Sequence, residues 1–79
     1  MEGYCLITRL MEDAAVCLYY KGMESSGGVP SVLDVVVAFS PADALVMDRE
    51  TAELLCNQLN KDKASLLAHG YTEFEILDR

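Results

Sequence analysis

A capped amphipathic stretch from Asp48 to Leu59 is the feature that most constrains the fold of this chain. Asp48 has a typical helix N-cap side chain, and Glu50 in the first turn complements the positive end of the helix dipole. A helix is therefore predicted to begin at Arg49. Four apolar residues at helical spacing form the stripe that should face the core: Ala52, Leu55, Cys56 and Leu59.

The opposite side of this helix is polar. The residues predicted to point to water are Arg49, Glu53, Asn57 and Asn60. Leu66 and Leu67 continue the apolar phase, so the helix can persist as far as His69. Alternatively, residues 60–62 separate two shorter helices. In either case Gly70, which readily adopts the left-handed conformation, is predicted to end the helical region.

Two apolar runs before residue 23 predict a β-hairpin. Tyr4–Leu10 and Ala15–Gly22 are dense in residues that favour a pleated sheet. Glu12 and Asp13 lie in the polar turn between them. The following segment, Met23–Ser31, is rich in Ser, Gly and Pro, which is typical of a flexible loop.

Further extended segments are predicted after this loop. The almost continuously apolar run Val32–Phe39 is typical of a central strand, and Pro41 interrupts the ladder because proline has no backbone N–H to donate. Ala44–Met47 is predicted to form a short extended piece before the helix. In Tyr71–Asp78 apolar and acidic residues alternate, as expected for a strand with one wet, acidic face.

These elements predict a single α+β domain over residues 1–79. Its order is hairpin, strand, helix, strand, with a small antiparallel sheet of three or four strands and one main amphipathic helix packed on one face. A chain of 79 residues has a thin core, because folding buries only about 60% of the surface of so short a chain. Since 52% of the residues are apolar, we expect some apolar surface at an association site, such as a homodimer interface.

Charge and hydropathy restrict the expected partners and location. Thirteen Asp and Glu against six Lys and Arg give a net charge of -7. Such a charge repels phosphate, so we expect a partner with a basic protein surface rather than direct nucleic-acid binding. No apolar run approaches the roughly 18 residues of a membrane span. The start of the sequence carries an acidic residue where a signal peptide would carry positive charge. We therefore expect a soluble cytoplasmic protein without membrane association.

No set of residues forms a recognisable catalytic or metal site. His69 and the three cysteines, Cys5, Cys17 and Cys56, lack the spacing of a Cys–His pair, a metal site or a disulfide framework. The segment Ser25–Gly28 lacks the Walker pattern and its lysine, although successive amides can bind an anion. We predict a non-enzymatic protein with no catalytic residue, no metal site and no cofactor.

The acidic residues form candidate interaction patches at residues 12–13, 48–53 and 73–78. Ordinary solubilising charge is the alternative interpretation. Tyrosine is a common interface anchor, and adjacent strand residues such as Tyr19 and Tyr20 face opposite sides, so at least one ring is a candidate surface anchor. A half-buried sheet residue is the alternative interpretation. The predicted protein-binding residues are Glu12, Asp13, Tyr20, Asp48, Glu50, Glu53, Glu73 and Glu75.

The order of these segments resembles that of small accessory proteins of bacteriophages and prophages. The resemblance covers most of the chain and rests on "YCLITRL", "CLYYKG", "ALVMDRETAELLCNQL" and "YTEFEILD", with matches at Ala44, Met47, Ala52 and Leu59. That group includes acidic inhibitors of bacterial defence systems, among them anti-CRISPR proteins. The resemblance implies a phage-encoded inhibitor of a nucleic-acid-handling protein or ribonucleoprotein complex in the bacterial host. A self-associating structural or assembly protein is the alternative.

Overall fold

The computed structural model describes residues 3–24 and 32–78 of the chain. The strands are β1 (Tyr4–Arg9), β2 (Cys17–Met23), β3 (Val35–Ala38) and β4 (Glu75–Asp78), and the helices are α1 (Arg49–Lys61) and α2 (Lys63–His69). Two short 3-10 helices, Val32–Asp34 and Pro41–Asp43, flank β3. The predicted α+β class is confirmed, and the observed order of elements agrees broadly with the predicted one.

The strands form one antiparallel sheet in the order β3-β2-β1-β4. β1 and β2 are the predicted hairpin, with Ile7 opposite Tyr19. The turn between them contains Glu12 and Asp13, and Asp13 Oδ1 accepts a hydrogen bond of 3.1 Å from the backbone N–H of Ala15. A carboxylate that binds the backbone two residues ahead is a common way to stabilise such a turn.

The apolar run Val32–Phe39 is not a central strand, contrary to the prediction. Its first three residues form a 3-10 helix, and within the described ranges the strand that follows, β3, pairs with β2 alone and lies at an edge of the sheet. Its side chains stay half-buried, because a strand at the edge has one neighbour rather than two. Most of the predicted flexible loop, residues 25–31, lies outside the described residues.

The segment Ala44–Met47 is not a regular strand, although Met47 pairs with the start of β1. Met47 and Tyr4 exchange backbone hydrogen bonds of 2.9 and 2.8 Å, and the N–H of Leu45 donates to the carbonyl of Tyr20 at 2.9 Å. The segment therefore joins β1 to β2 at the end of the sheet where the register of β2 shifts. The predicted short extended piece is therefore present, and it pairs with β1 through a single bridge at Met47.

α1 begins at Arg49, as predicted, and is capped by Asp48, whose Oδ1 accepts from the N–H of Thr51 at 2.9 Å. The helical region divides at Asp62, so the alternative with two shorter helices is the correct one. Gly70 ends α2 with a left-handed φ of 72°. In the described part of the chain, neither helix has the length and apolar character needed to cross a membrane.

The core lies between the helices and one face of the sheet. Its buried members are Leu6, Tyr20, Val32, Ala52, Cys56, Leu59, Leu66 and Phe74. The predicted stripe of α1 is confirmed, since three of its residues are buried and Leu55 is half-buried. Leu67 is 66% exposed, contrary to the predicted phase. The break at Asp62 starts a new helix, and Leu66 is the buried residue of that helix.

Candidate functional site

Tyr20, the predicted aromatic anchor, is a core residue. Its side chain is 5% exposed and packs in the cluster beneath the helices. Burial also raises the pKa of its phenol, since the low-dielectric surroundings disfavour the charged form. The helices cover the sheet face on which Tyr20 lies, and Tyr19 on the opposite face is half-buried. The ring of Tyr20 is thus not available to a partner, and this part of the prediction is corrected.

Three of the predicted acidic residues form ion pairs. The pairs are Arg9 with Glu75 at 2.7 Å, Arg49 with Glu53 at 3.4 Å, and Lys63 with Glu73. All three lie on the surface, where solvent screens the attraction and such pairs add little to stability. These pairs are therefore weak enough for a competing cation to exchange with them.

Two further acids have structural roles. Asp48 caps α1, and its hydrogen bond with Thr51 is the main cause that lowers the pKa of the carboxyl group. Asp13 holds the hairpin turn. Glu12 and Glu50 are exposed and form no ion pair with any residue in the described ranges. The predicted acids are therefore all on the surface, but most of them also serve the fold.

The structure brings the last acidic group to one edge of the sheet. In the described part of the chain β4 pairs with β1 alone, and all four of its residues are exposed. Glu75 and Asp78 enclose two apolar residues, Ile76 and Leu77, whose side chains are 38% and 37% exposed. Glu73 lies two residues before β4. We call residues 73–78 the acidic edge.

Asn60 was predicted to point to water and instead joins α1 to the acidic edge. Its Oδ1 accepts from the N–H of Phe74 at 2.7 Å, and its Nδ2 donates to the carbonyl of Phe74 at 3.0 Å. The thiol of Cys56 donates to the same carbonyl at 3.2 Å. In the sequence, the one signal for this role is that Asn60 follows Cys56 by four residues and so borders the apolar stripe.

His69 lines an open cavity of about 350 Å³ beside Glu12, and its ring stacks on Tyr71 with centroids 5.2 Å apart and planes 18° apart. No hydrogen bond or ion pair joins His69 to Glu12 in the described part of the chain.

Burial raises the pKa of the Cys56 thiol, which disfavours the nucleophilic thiolate. Within residues 3–24 and 32–78, no three His, Cys, Asp or Glu side chains are grouped to hold a metal ion.

Large apolar side chains also remain on the surface. Those more than a third exposed are Met11, Phe39, Leu45, Val46, Leu54, Leu67, Ile76 and Leu77. Leu54 lies in an open apolar groove on α1, formed with Thr51, Leu55 and Gln58. Apolar groups therefore accompany the acidic residues both on the helix and at the acidic edge.

Comparison with known proteins adds no assignment to this surface. The candidate site therefore rests on the geometry of the acidic edge and on the exposed acids of α1 and of the hairpin turn. No family model matches the chain, and searches of the curated proteins and of the solved structures found no similar protein.

Proposed function

We propose that this protein is a non-enzymatic module that binds a basic surface of another protein or ribonucleoprotein and thereby inhibits a nucleic-acid-handling complex. The observation that carries the proposal is the set of large apolar side chains, 37% to 78% exposed, on a chain of net charge -7. In interfaces, apolar and aromatic groups supply the buried centre, whereas complementary charge steers encounter and excludes wrong partners. The narrower role, a phage-encoded inhibitor of a bacterial defence complex of the CRISPR type, rests on the resemblance in segment order.

The ion pairs do not remove the negative field on which this proposal depends. Each pair uses one of the six basic residues to cancel one of the thirteen acidic ones, so the net charge of -7 is unchanged by pairing. Glu12 and Glu50 remain accessible at separate sites. A negative surface of this kind competes with phosphate for a basic groove.

Capture from a lysate of the bacterium that carries the gene, at rising salt, tests the proposal. We expect nucleic-acid-binding proteins to be retained at about 50 mM NaCl and released towards about 500 mM, because screening weakens exposed charge interactions. Added DNA or RNA should displace them. The double variant Glu12→Gln, Glu50→Gln removes two charges without touching a cap and should retain less. Capture that is indifferent to salt and to nucleic acid would contradict the proposal.

Self-association is the second candidate function. Phe39 favours it, because its ring is 78% exposed and a second copy is the simplest cover for such a group. In that case the protein would be a structural or assembly component. Light scattering over a range of concentrations should then show a dimer that Phe39→Ser abolishes. A monomer at every concentration would eliminate this candidate.

A further inference from the structure

The direction of the backbone hydrogen bonds of β4 follows from its partner strand. Tyr4 exchanges both of its backbone hydrogen bonds with Met47, on the side of β1 away from β4. In an antiparallel pair this direction alternates along the strand, so Cys5 turns its groups towards β4 and forms a hydrogen-bonded pair with Leu77. The residues on either side of Leu77, Ile76 and Asp78, therefore point their backbone N–H and C=O groups away from β1.

Ile76 and Asp78 consequently direct their N–H and C=O groups out of the sheet. Within the described ranges no backbone or side-chain group bonds to them there. The side chains of Ile76 and Leu77 are both exposed and lie on opposite faces, since neighbouring strand residues alternate. An edge strand with open backbone groups and exposed apolar side chains is a template for an additional strand.

Asn60 occupies the same edge two residues before Ile76, at Phe74. Its side-chain amide bonds to both the N–H and the C=O of Phe74, which is the pairing that an incoming strand would make. An added strand can therefore pair at Ile76 and Asp78 but is stopped at Phe74. The edge is open over a short and defined length.

The charge along this edge selects what occupies it. Glu73, Glu75 and Asp78 lie along the acidic edge, and Glu53 lies on the flank of α1 that carries Asn60, about two helical turns away. The three glutamates form exposed ion pairs that a cationic partner can exchange with, and Asp78 forms none with the described residues. A second copy would bring two chains of net charge -7 together at a strand that contains no basic residue. Lysine and arginine side chains beside apolar ones complement this edge better.

We propose that the partner contributes an extended segment, with lysine or arginine flanking apolar residues, that joins the sheet beside β4 as a fifth strand. Backbone bonds at Ile76 and Asp78 hold the segment, the two exposed apolar side chains of β4 pack against it, and the acids select its charge. The inference rests on the proposed function, since it names the element that receives the basic partner.

The capped peptide KVKIKVK, added to the full chain, is the probe, and EVEIEVE is its charge-reversed control. Amide exchange measured by NMR should show the N–H groups of Ile76 and Asp78 protected by KVKIKVK and unaffected by EVEIEVE. Equal binding of the two peptides would overturn the proposal. So would protection confined to other amides, or protection of these two without peptide in a dimeric protein, which would assign the edge to a second copy.

Asp78→Pro and Asp78→Asn separate the backbone donor from the charge. Both remove the carboxylate, but only proline removes the outward N–H, and it leaves the ladder to β1 intact. KVKIKVK should bind Asp78→Pro about fivefold more weakly than Asp78→Asn, as expected for one lost hydrogen bond. Equal affinities for the two variants would contradict strand addition. Circular dichroism checks that both are folded.

Ile76→Lys tests the same edge without altering the backbone. It places a charge of the same sign as the probe beside the added strand and should weaken KVKIKVK binding about tenfold. Unchanged binding would overturn the inference.

Two outcomes distinguish this inference from the proposed function. If Asp78→Pro captures lysate proteins as strongly as the wild-type protein does, and the capture remains salt-dependent, the edge inference fails and the proposed function stands. If KVKIKVK binds as expected while lysate capture ignores salt, the proposed function fails instead.

Discussion

The two phenylalanines of the chain adjoin the two edge strands of the sheet and differ almost completely in burial. Phe39 follows β3 and is 78% exposed, whereas Phe74 precedes β4 and is 2% exposed. The strands themselves show the reverse pattern, since the residues of β3 are half-buried and those of β4 are exposed. β3 is therefore held by its own side chains, and β4 by the residues before it.

Polar contacts reinforce the anchor before β4. Asn60 binds the backbone of Phe74, and the hydroxyl of Thr8 donates to the carbonyl of Thr72 at 2.7 Å. In the described part of the chain no side-chain hydrogen bond reaches β3. A strand anchored from outside need not bury its own side chains, so β4 can present acidic and apolar residues to a partner. Such freedom is absent in β3, where the valines are needed for packing.

The largest expected effect is that of Phe74→Ala. Removing a buried phenylalanine side chain should lower the free energy of unfolding by about 3–5 kcal/mol. Phe39→Ala should change it by less than about 0.5 kcal/mol, because the ring contributes little buried area. Urea unfolding followed by circular dichroism measures both values. Phe74→Leu, which keeps most of the apolar volume, should fall between them. Equal losses for the two alanine variants would refute the contrast between the edges.

Asn60→Ala compared with Asn57→Ala isolates the polar part of the anchor. Both residues lie in α1 and receive the same substitution, so differences in helix propensity largely cancel. Asn60→Ala leaves the N–H of Phe74 without its partner and its C=O with the weak thiol donor of Cys56 alone. It should therefore cost about 2 kcal/mol more than Asn57→Ala, whose side chain is exposed. Chemical denaturation of the two variants provides the measurement. Matching stabilities would show that water replaces the amide without loss.

Thr8→Val tests the second polar contact with nearly the same side-chain shape. Thr8 is completely buried, and the substitution removes its hydrogen bond to Thr72, so we expect a loss of about 1 kcal/mol. Hydrogen exchange should quicken at the amides of Arg9 and Thr72, which bond across this junction. Amides of β3 serve as the internal reference and should keep their rates. Uniform acceleration over the whole sheet would mean that the contact is not specific to the β4 side.

The contrast between the edges also shows which features local sequence signals can predict. The cap at Asp48, the apolar stripe of α1 and the hairpin depend on residues a few positions apart, and all three were predicted correctly. The position of β3 depends on which strands pair, and apolar content alone does not decide that. An apolar run such as Val32–Phe39 indicates burial without indicating how many neighbours supply it.

In the candidate site, too, local sequence predicts some features, and tertiary packing decides the others. Alternation along β2 predicts that Tyr19 and Tyr20 face opposite sides, but the face that the helices cover is set by tertiary packing. The role of Asn60 depends on a backbone 14 residues further along the chain. Its sequence context differs little from that of Asn57. The acids were correctly placed on the surface by their charge, whereas their ion pairs follow from elements that meet only in the folded chain.

The smallest expected effect concerns Asp48, which caps α1, the helix that carries Asn60. The hydrogen bond with Thr51 lowers the pKa of Asp48, so the ionised carboxylate stabilises the fold above its ordinary pKa of 3.8. This contribution is lost as the pH falls through the lowered pKa of the folded state. Asp48→Asn retains a capping oxygen but cannot ionise. The wild-type protein should therefore be more stable than Asp48→Asn at pH 7, and this difference in stability should shrink as the pH is lowered.

Asp43→Asn is the matched control, because Asp43 lies in the 3-10 helix after β3 and its carboxylate accepts no hydrogen bond from the described residues. At pH 7 it should change stability less than Asp48→Asn does. Thermal unfolding of the three proteins between about pH 2 and pH 7 measures both differences across the carboxylate titration. A gap between wild type and Asp48→Asn that widens towards acid would have the wrong sign for a carboxylate whose ionised form the fold stabilises.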